Sequence, residues 1–214
     1  PGPGGGGGVL LNQSPHSLDL LQWLVGMPKR VRAHCHLGKG HRIEVEDDVT
    51  AYLEWENGAT GVFLTSTLEA PGTNRVELIG NSGKIVIEGG KVTLHRNSVP
   101  ADEFIRTSDN RFAAPETTAV EIAPDTGKGL HQELTQNFVN AILYQEPLVA
   151  PGEEGIRSLA LSNAMLLSGL RDKWVELPLD GVEYKALLDE LCANSTYRKT
   201  LREAAKEDMT ASFH

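Results

Sequence analysis

From Val49 to Glu56 the residues Val49, Ala51, Leu53 and Trp55 alternate with Thr50, Tyr52, Glu54 and Glu56, the period-two pattern of a strand with one packed and one more polar face. Further strands are expected at Val31 to Cys35, Thr60 to Leu68, Val76 to Ile79, Lys84 to Ile87 and Lys91 to His95. Asn57-Gly58, Asn81-Ser82-Gly83 and Gly89-Gly90 supply hairpin turns between them, so an antiparallel meander is predicted. The period then changes. Leu130, Leu134, Phe138 and Ile142 recur at helical spacing, Glu153-Glu154 introduce a second helix from Ile156 to Leu170, and a third is expected from Val182 to Leu191. Near the front, Ser14 as N-cap, Pro15 as first helical residue, Gly26 as stop and Pro28 beyond predict a helix from Pro15 to Val25. Residues 97–117 are polar and read as a long loop, while Trp23, Trp55 and Trp174 lie in apolar patterns and are expected in the core. A block of strands with helices packed on one side is an α+β two-layer domain, here a large, mainly antiparallel open sheet covered on one face by helices. It is expected to occupy residues 1–196, followed by a charged tail at 197–214.

Composition narrows the function. With 214 residues and 40% hydrophobic content, the chain is ample for one sizeable core. A formal charge of −9 without a dense Lys/Arg cluster argues against a nucleic-acid surface. No apolar run reaches the roughly 18 residues of a membrane span, so no membrane partner is expected and a cytoplasmic location is the default. Cys35 and Cys192 are the only cysteines and form no C-x-x-C pair, so two reduced thiols are expected. His34 and His36 share a strand face with His41 nearby, yet no further ligands follow at suitable spacing, and no metal is expected. Glu44, Glu46, Asp47 and Asp48 lack the glycine-punctuated loop of a calcium hand and read as a solvated acidic strand start. No Gly-x-Ser-x-Gly elbow of a hydrolase occurs.

The chemistry concentrates at the front. A glycine run at Gly4 to Gly8 leads through Val9-Leu10-Leu11 to Asn12, Gln13, Ser14, Pro15 and His16. His16 falls in the first helical turn, with Asn12 four residues earlier, and one tight bend would bring both to a pocket at a helix start that favours oxygen-rich ligands. The run is not read as a phosphate loop, because no strand precedes it and no ribose-binding acid follows at the required distance.

The pattern Gly-Gly-Gly-x-Leu-x-Asn-Gln-x-x-His-x-x-Asp-Leu-x-x-Trp-x-x-Gly, written by Gly6 through Gly26, resembles the signature that opens the C-terminal domain of Gfo/Idh/MocA oxidoreductases. The likeness continues through Glu46-Asp47-Asp48-Val49, Asn57-Gly58, Asn74 to Gly80 with Gly83, His131 to Leu143, Gly155 to Ser168 and Val175 to Pro178. The resemblance implies an NAD(P)-dependent oxidoreductase acting on a secondary hydroxyl or ketone of a sugar, inositol or related polyol. It also implies that NAD or NADP is held mainly by an N-terminal Rossmann domain, which this chain lacks together with the Glu-Lys-Pro motif of the family's catalytic lysine. The chain is therefore expected to be a fragment, inactive alone. By the same resemblance His16 is the acid/base and Asn12 completes the polar set around the carbinol, with Gln13 and His131 as substrate ligands. Where other members carry aspartate, Asn12 can only donate and accept hydrogen bonds. Asp19 reads as a structural partner of the helix start. The family's open sheet face commonly mediates assembly, which implies a homodimer or homotetramer here, and Tyr52, Phe63 and threonines on the second face would suit such a surface. Two alternatives stay open: a stand-alone oligomerisation or carbohydrate-binding module, and part of an NAD-dependent glycosidase.

Overall fold

The computed structural model describes residues 7–110, 112–123 and 130–196, so the expected tail at 197–214 lies outside the described residues. In chain order the elements are α1 (Val9–Asn12), α2 (Pro15–Val25), β1 (Arg30–Leu37), β2 (Glu46–Glu54), β3 (Thr60–Ser66), β4 (Arg75–Gly80), β5 (Gly83–Glu88), β6 (Lys91–Asn97), α3 (Ala101–Thr107), β7 (Thr117–Ile122), α4 (Leu130–Tyr144), α5 (Gly155–Arg171), β8 (Val175–Glu176) and α6 (Gly181–Asn194). The α+β class holds, with the antiparallel strands arranged as two four-stranded sheets, β3-β2-β1-β8 and β4-β5-β6-β7. They belong to two compact units, one drawn from the described residues of 7–68 and 151–196, the other from those of 69–150.

In the first unit the inward row of β2, formed by Val49, Ala51 and Leu53, meets Val31 and Ala33 of β1. Helix α5 lies over them and buries Leu161, Ala164, Met165 and Leu167, while α6 adds Tyr184 and Leu187. Gly169 allows α5 to come this close, because a Cβ there would stand 2.6 Å from the Cys35 sulfur and 2.9 Å from the Cys35 backbone nitrogen. Strand β8 is short and pairs with β1 only at Arg30 and Val31. The next backbone donor along that edge, the Ala33 N–H, is taken by the Ser168 hydroxyl of α5 at 2.9 Å, so a buried polar group that the sheet leaves over is satisfied by a helix side chain.

Three expectations are corrected in this unit. Trp23 is 73% exposed and Trp174 lies on the open face, where Arg30 sits 4.5 Å above its ring and Tyr52 meets it edge-on; of the three tryptophans only Trp55 packs against the core. Phe63 faces inward, because it pairs with Ala51, whereas Val62 pairs with Tyr52. The outward row of β3 is therefore Val62 and Leu64, 69% and 56% exposed. The Ser14 side chain does not cap α2, although the helix begins and ends where the sequence predicts and Gly26 stops it.

The second unit is a meander of β4 to β7 in which Leu78 pairs with Ile85 and Ile85 with Leu94. Residues 97–117 are not one loop. They include α3, whose start is tied to the β4–β5 turn by Asn81, which accepts from the Ala101 N–H at 2.8 Å and the Asp102 N–H at 2.9 Å. A short helix held by a distant turn leaves no apolar period to read. Helix α4 leaves its apolar row exposed, contrary to expectation: Phe138 is 57% exposed, and Leu134 and Ile142 are also exposed. Among the described residues no helix is long and apolar enough to cross a membrane.

Candidate active site

Helix α2 turns Ser14, Leu18 and Gln22 inward, residues spaced at i, i+4 and i+8 on one helical face. His16 lies half a turn away from that row and is exposed in the first turn, so the burial of Leu18 is what sends the imidazole outward. Asp19 accepts a hydrogen bond from the Gln22 amide at 2.9 Å, in keeping with a structural role.

Just before it, Val9 and Leu10 are buried in the single turn α1, and Leu11, Asn12 and Gln13 emerge on the outer side. The turn is closed by backbone bonds from the Asn12 N–H to the Gly8 carbonyl at 3.0 Å and from the Gln13 N–H to the Val9 carbonyl at 3.1 Å. Asn12, Gln13 and His16 thus occupy one corner between α1 and α2, and among the described residues no side chain is hydrogen-bonded to theirs. His131 lies on α4 in the second unit and is exposed.

The corner rests on acids that the sequence reading placed in solvent. Glu46 is 3% and Asp47 1% exposed. Register shifts opposite His36 and Leu37, where Leu37 pairs with Glu46 and His36 with Asp48, leaving Asp47 as the extra residue of a bulge. A bulge re-aims side chains and so lets two consecutive acids turn away from solvent. Glu46 accepts the Leu10 N–H at 3.1 Å. A Cβ on Gly8 would fall 2.1 Å from the Glu46 carbonyl oxygen and 2.5 Å from its carboxylate, so only glycine fits there. Burial pushes the Glu46 carboxyl above its ordinary range, against the pull of N–H groups that include those of Leu10 and Gly8. Its charge adds to burial in pushing both the Cys35 thiol and the Tyr184 hydroxyl up to about 12, which makes Cys35 an unreactive thiol.

Asp47 is used differently. It gathers the N–H groups of Lys39 at 2.9 Å, Gly40 at 2.9 Å and His41 at 3.1 Å, and pairs with the His41 ring at 3.1 Å. Burial works to raise its pKa, but these donors outweigh it and hold the carboxyl well below the usual carboxylate range. Asp48 pairs with Lys39 and His36, and Glu44 accepts from Ser195 and Thr196. Among the described residues no group of three or more His, Cys, Asp or Glu side chains is gathered as a metal site.

These residues do not fit a dinucleotide. The N–H groups that a pyrophosphate would need at the start of α1 face the Glu46 carboxylate, a negative group in the place of a bound anion. The cleft of about 380 Å³ on the second unit, lined by residues such as Leu78, Ile79, Ile85, Leu94 and Arg96, is largely apolar and holds no acid–base pair.

Residues 2–86, which contain the whole corner and its supports, match the GFO/IDH/MocA C-terminal domain. The front of the chain, up to residue 86, is therefore similar to a Gfo/Idh/MocA C-terminal domain. Solved structures agree on this fold. The WlbA dehydrogenase from Bordetella pertussis, in complex with NADH and UDP-GlcNAcA, is 27% identical with a TM-score of 0.60, the match covering 81% of this chain and 46% of that one. Levoglucosan dehydrogenase, in complex with NADH and levoglucosan, is 20% identical with a TM-score of 0.60 over 80% of this chain and 50% of its own. UDP-N-acetylglucosamine 3-dehydrogenase from Acidithiobacillus ferrooxidans is 20% identical with a TM-score of 0.56, over 75% of this chain and 48% of its own. The last two show the fold alone, and this chain spans about half the length of each of the three. Among curated proteins none matches. The exposed trio of Asn12, Gln13 and His16 lies inside the pattern written by Gly6 through Gly26, while Glu46 and Asp47 are supports that the sequence pattern did not bring out. A signal existed for Asp47 alone, since the buried row Val49, Ala51, Leu53 extends backwards to it by the same period, whereas Glu46 lies off that period.

Proposed function

We propose that this domain is the substrate half of an NAD(P)-dependent dehydrogenase that interconverts a secondary hydroxyl and a ketone on a sugar, inositol or related polyol. The observation that carries the reading is the corner itself: an imidazole and two amides presented together on a rigid scaffold, uncommitted to other side chains, in a segment that matches an oxidoreductase family. The neighbour at 27% identity holds a sugar nucleotide and NADH, which supports a carbohydrate substrate. His16 takes the hydroxyl proton as the carbinol C–H bond breaks, and returns it in the reverse direction. Asn12 donates and accepts hydrogen bonds to the reacting oxygen without ionising, and Gln13 binds another hydroxyl. The nicotinamide, when bound by a nucleotide-binding domain, supplies the hydride acceptor. The chain alone is inactive, and two or four copies assemble through the open face of the β3-β2-β1-β8 sheet.

In the full-length protein, His16→Ala lowers turnover by about two to four orders of magnitude, the usual worth of a positioned acid/base, while Asn12→Ala chiefly raises the substrate KM. Steady-state NADH formation over a sugar panel beginning with UDP-GlcNAcA and levoglucosan measures both. Normal turnover in His16→Ala would remove the imidazole from the mechanism.

A further inference from the structure

Two polar contacts fasten the corner to the sheet from different strands. At its start, Gly8 presses against Glu46 of β2, whose buried carboxylate accepts the Leu10 N–H at 3.1 Å. At its end, the buried Ser14 hydroxyl shares a hydrogen bond of 2.9 Å with the Thr65 hydroxyl of β3. Between these points lie Leu11, Asn12 and Gln13, all exposed, and His16 follows two residues after the second. Helix α1 spans four residues, too short to be stable in water by itself, so its conformation is set by what holds it. Ser14 begins α2 without using its hydroxyl as a cap, so that group is spent on the strand and not on the helix.

We propose that Glu46 and Thr65 are positioning residues that clamp the Gly8–Ser14 segment at two points and so fix Asn12 and His16 in their working geometry. This rests on the reading of Asn12 and His16 as the site. Neither Glu46 nor Thr65 reaches the reacting atoms; each acts through the backbone or the serine it holds. Reacting groups misplaced by about 1 Å lose on the order of a hundredfold in rate, so a clamp on this segment governs turnover and leaves the dinucleotide, which this segment does not hold, untouched.

The test compares Glu46→Ala, Glu46→Gln and Thr65→Val in the full-length protein by hydrogen exchange of the peptide covering residues 8–14, and by kcat and KM for the sugar and for NAD(P). Glu46→Ala is expected to speed exchange of that peptide about tenfold or more while β1 and β2 keep their protection, and to lower kcat about ten- to a hundredfold with an unchanged KM for NAD(P). Glu46→Gln keeps one accepting oxygen for the Leu10 N–H and recovers part of both losses. Thr65→Val keeps the side-chain shape, removes one partner of Ser14 and gives a smaller effect of the same kind, which covers the case in which Glu46→Ala does not fold. Unchanged exchange at residues 8–14 in Glu46→Ala and Thr65→Val overturns the clamp whatever the site does. Faster exchange with unchanged kcat leaves those residues merely structural and overturns the positioning role, and so does a KM for NAD(P) that rises in step. His16→Ala at normal turnover sinks the reading of the site instead, and the exchange result still decides the clamp.

Discussion

Glu46 and Asp47 are adjacent and both buried, yet the balance falls in opposite ways: at Glu46 burial outweighs the N–H groups that lower its pKa and its proton affinity rises, whereas at Asp47 three N–H groups and an imidazole outweigh burial and its proton affinity falls. A carboxyl whose pKa is lower folded than unfolded stabilises the protein above its unfolded pKa, and that stabilisation fades as pH falls towards the folded value. Asp47→Asn sets an amide against the N–H donors of the Lys39–His41 turn. It is expected to cost about 2 kcal/mol at neutral pH, in line with the loss of hydrogen bonds to a buried charge. The difference in Tm between the two proteins should shrink below about pH 4, where the unfolded aspartate is protonated. A gap independent of pH between 3 and 7 would refute the ionised role. Side-chain roles at this scale were only partly legible. Asn12 and His16 stood out because amide, cap and imidazole fall within one short motif. Glu46 and Asp47 were hidden because four acids in five positions look solvated until a bulge turns two of them inward.

Helix α2 was readable because both of its ends are written locally, by Ser14-Pro15 and by Gly26, and the structure keeps those bounds. The use to which Ser14 puts its hydroxyl was not readable, since its partner Thr65 lies 51 positions away. Helices α1 and α3 were missed for a related reason: one turn around Val9–Asn12 and a seven-residue helix at Ala101–Thr107 are held by contacts remote in sequence. Helix α5 offers a sharper test of element packing. On an exposed helix, Gly→Ala would gain about 1 kcal/mol of helix propensity. At Gly169 the new methyl would meet the Cys35 sulfur at 2.6 Å and its backbone nitrogen at 2.9 Å, and backbone does not step aside. Gly169→Ala is therefore expected to destabilise by about 1–3 kcal/mol, the usual cost of overpacking, and Cys35→Ala in the same chain to recover only part of it. Urea unfolding measures the sign; a stabilised Gly169→Ala would mean that α5 does not approach β1 so closely.

At the level of the whole molecule, the faces of the β3-β2-β1-β8 sheet follow from register. Pairing of Ala51 with Phe63 and Tyr52 with Val62 sends Phe63 to the core and leaves Tyr52, Val62 and Leu64 outside, and a slip of one residue would exchange the faces. Strand periods were legible along each segment, but which β3 residues share a side with Tyr52 depends on a pairing that sequence spacing alone did not settle. With assembly through this face, Val62→Lys together with Leu64→Glu is expected to convert the full-length protein to monomers at micromolar concentration while its Tm changes little, as sedimentation velocity would show. An unchanged sedimentation coefficient would move the interface elsewhere. The Ser168 hydroxyl, which takes the Ala33 N–H where β8 runs out, has a consequence for unwanted association as well. Unpaired strand edges are templates for foreign strands, and here a helix side chain fills the place in the ladder that an intruder would need. An added strand on that side of β1 would have to displace the Ser168 hydroxyl before it could pair at Ala33, so the rung next to β8 is guarded against edge-to-edge stacking.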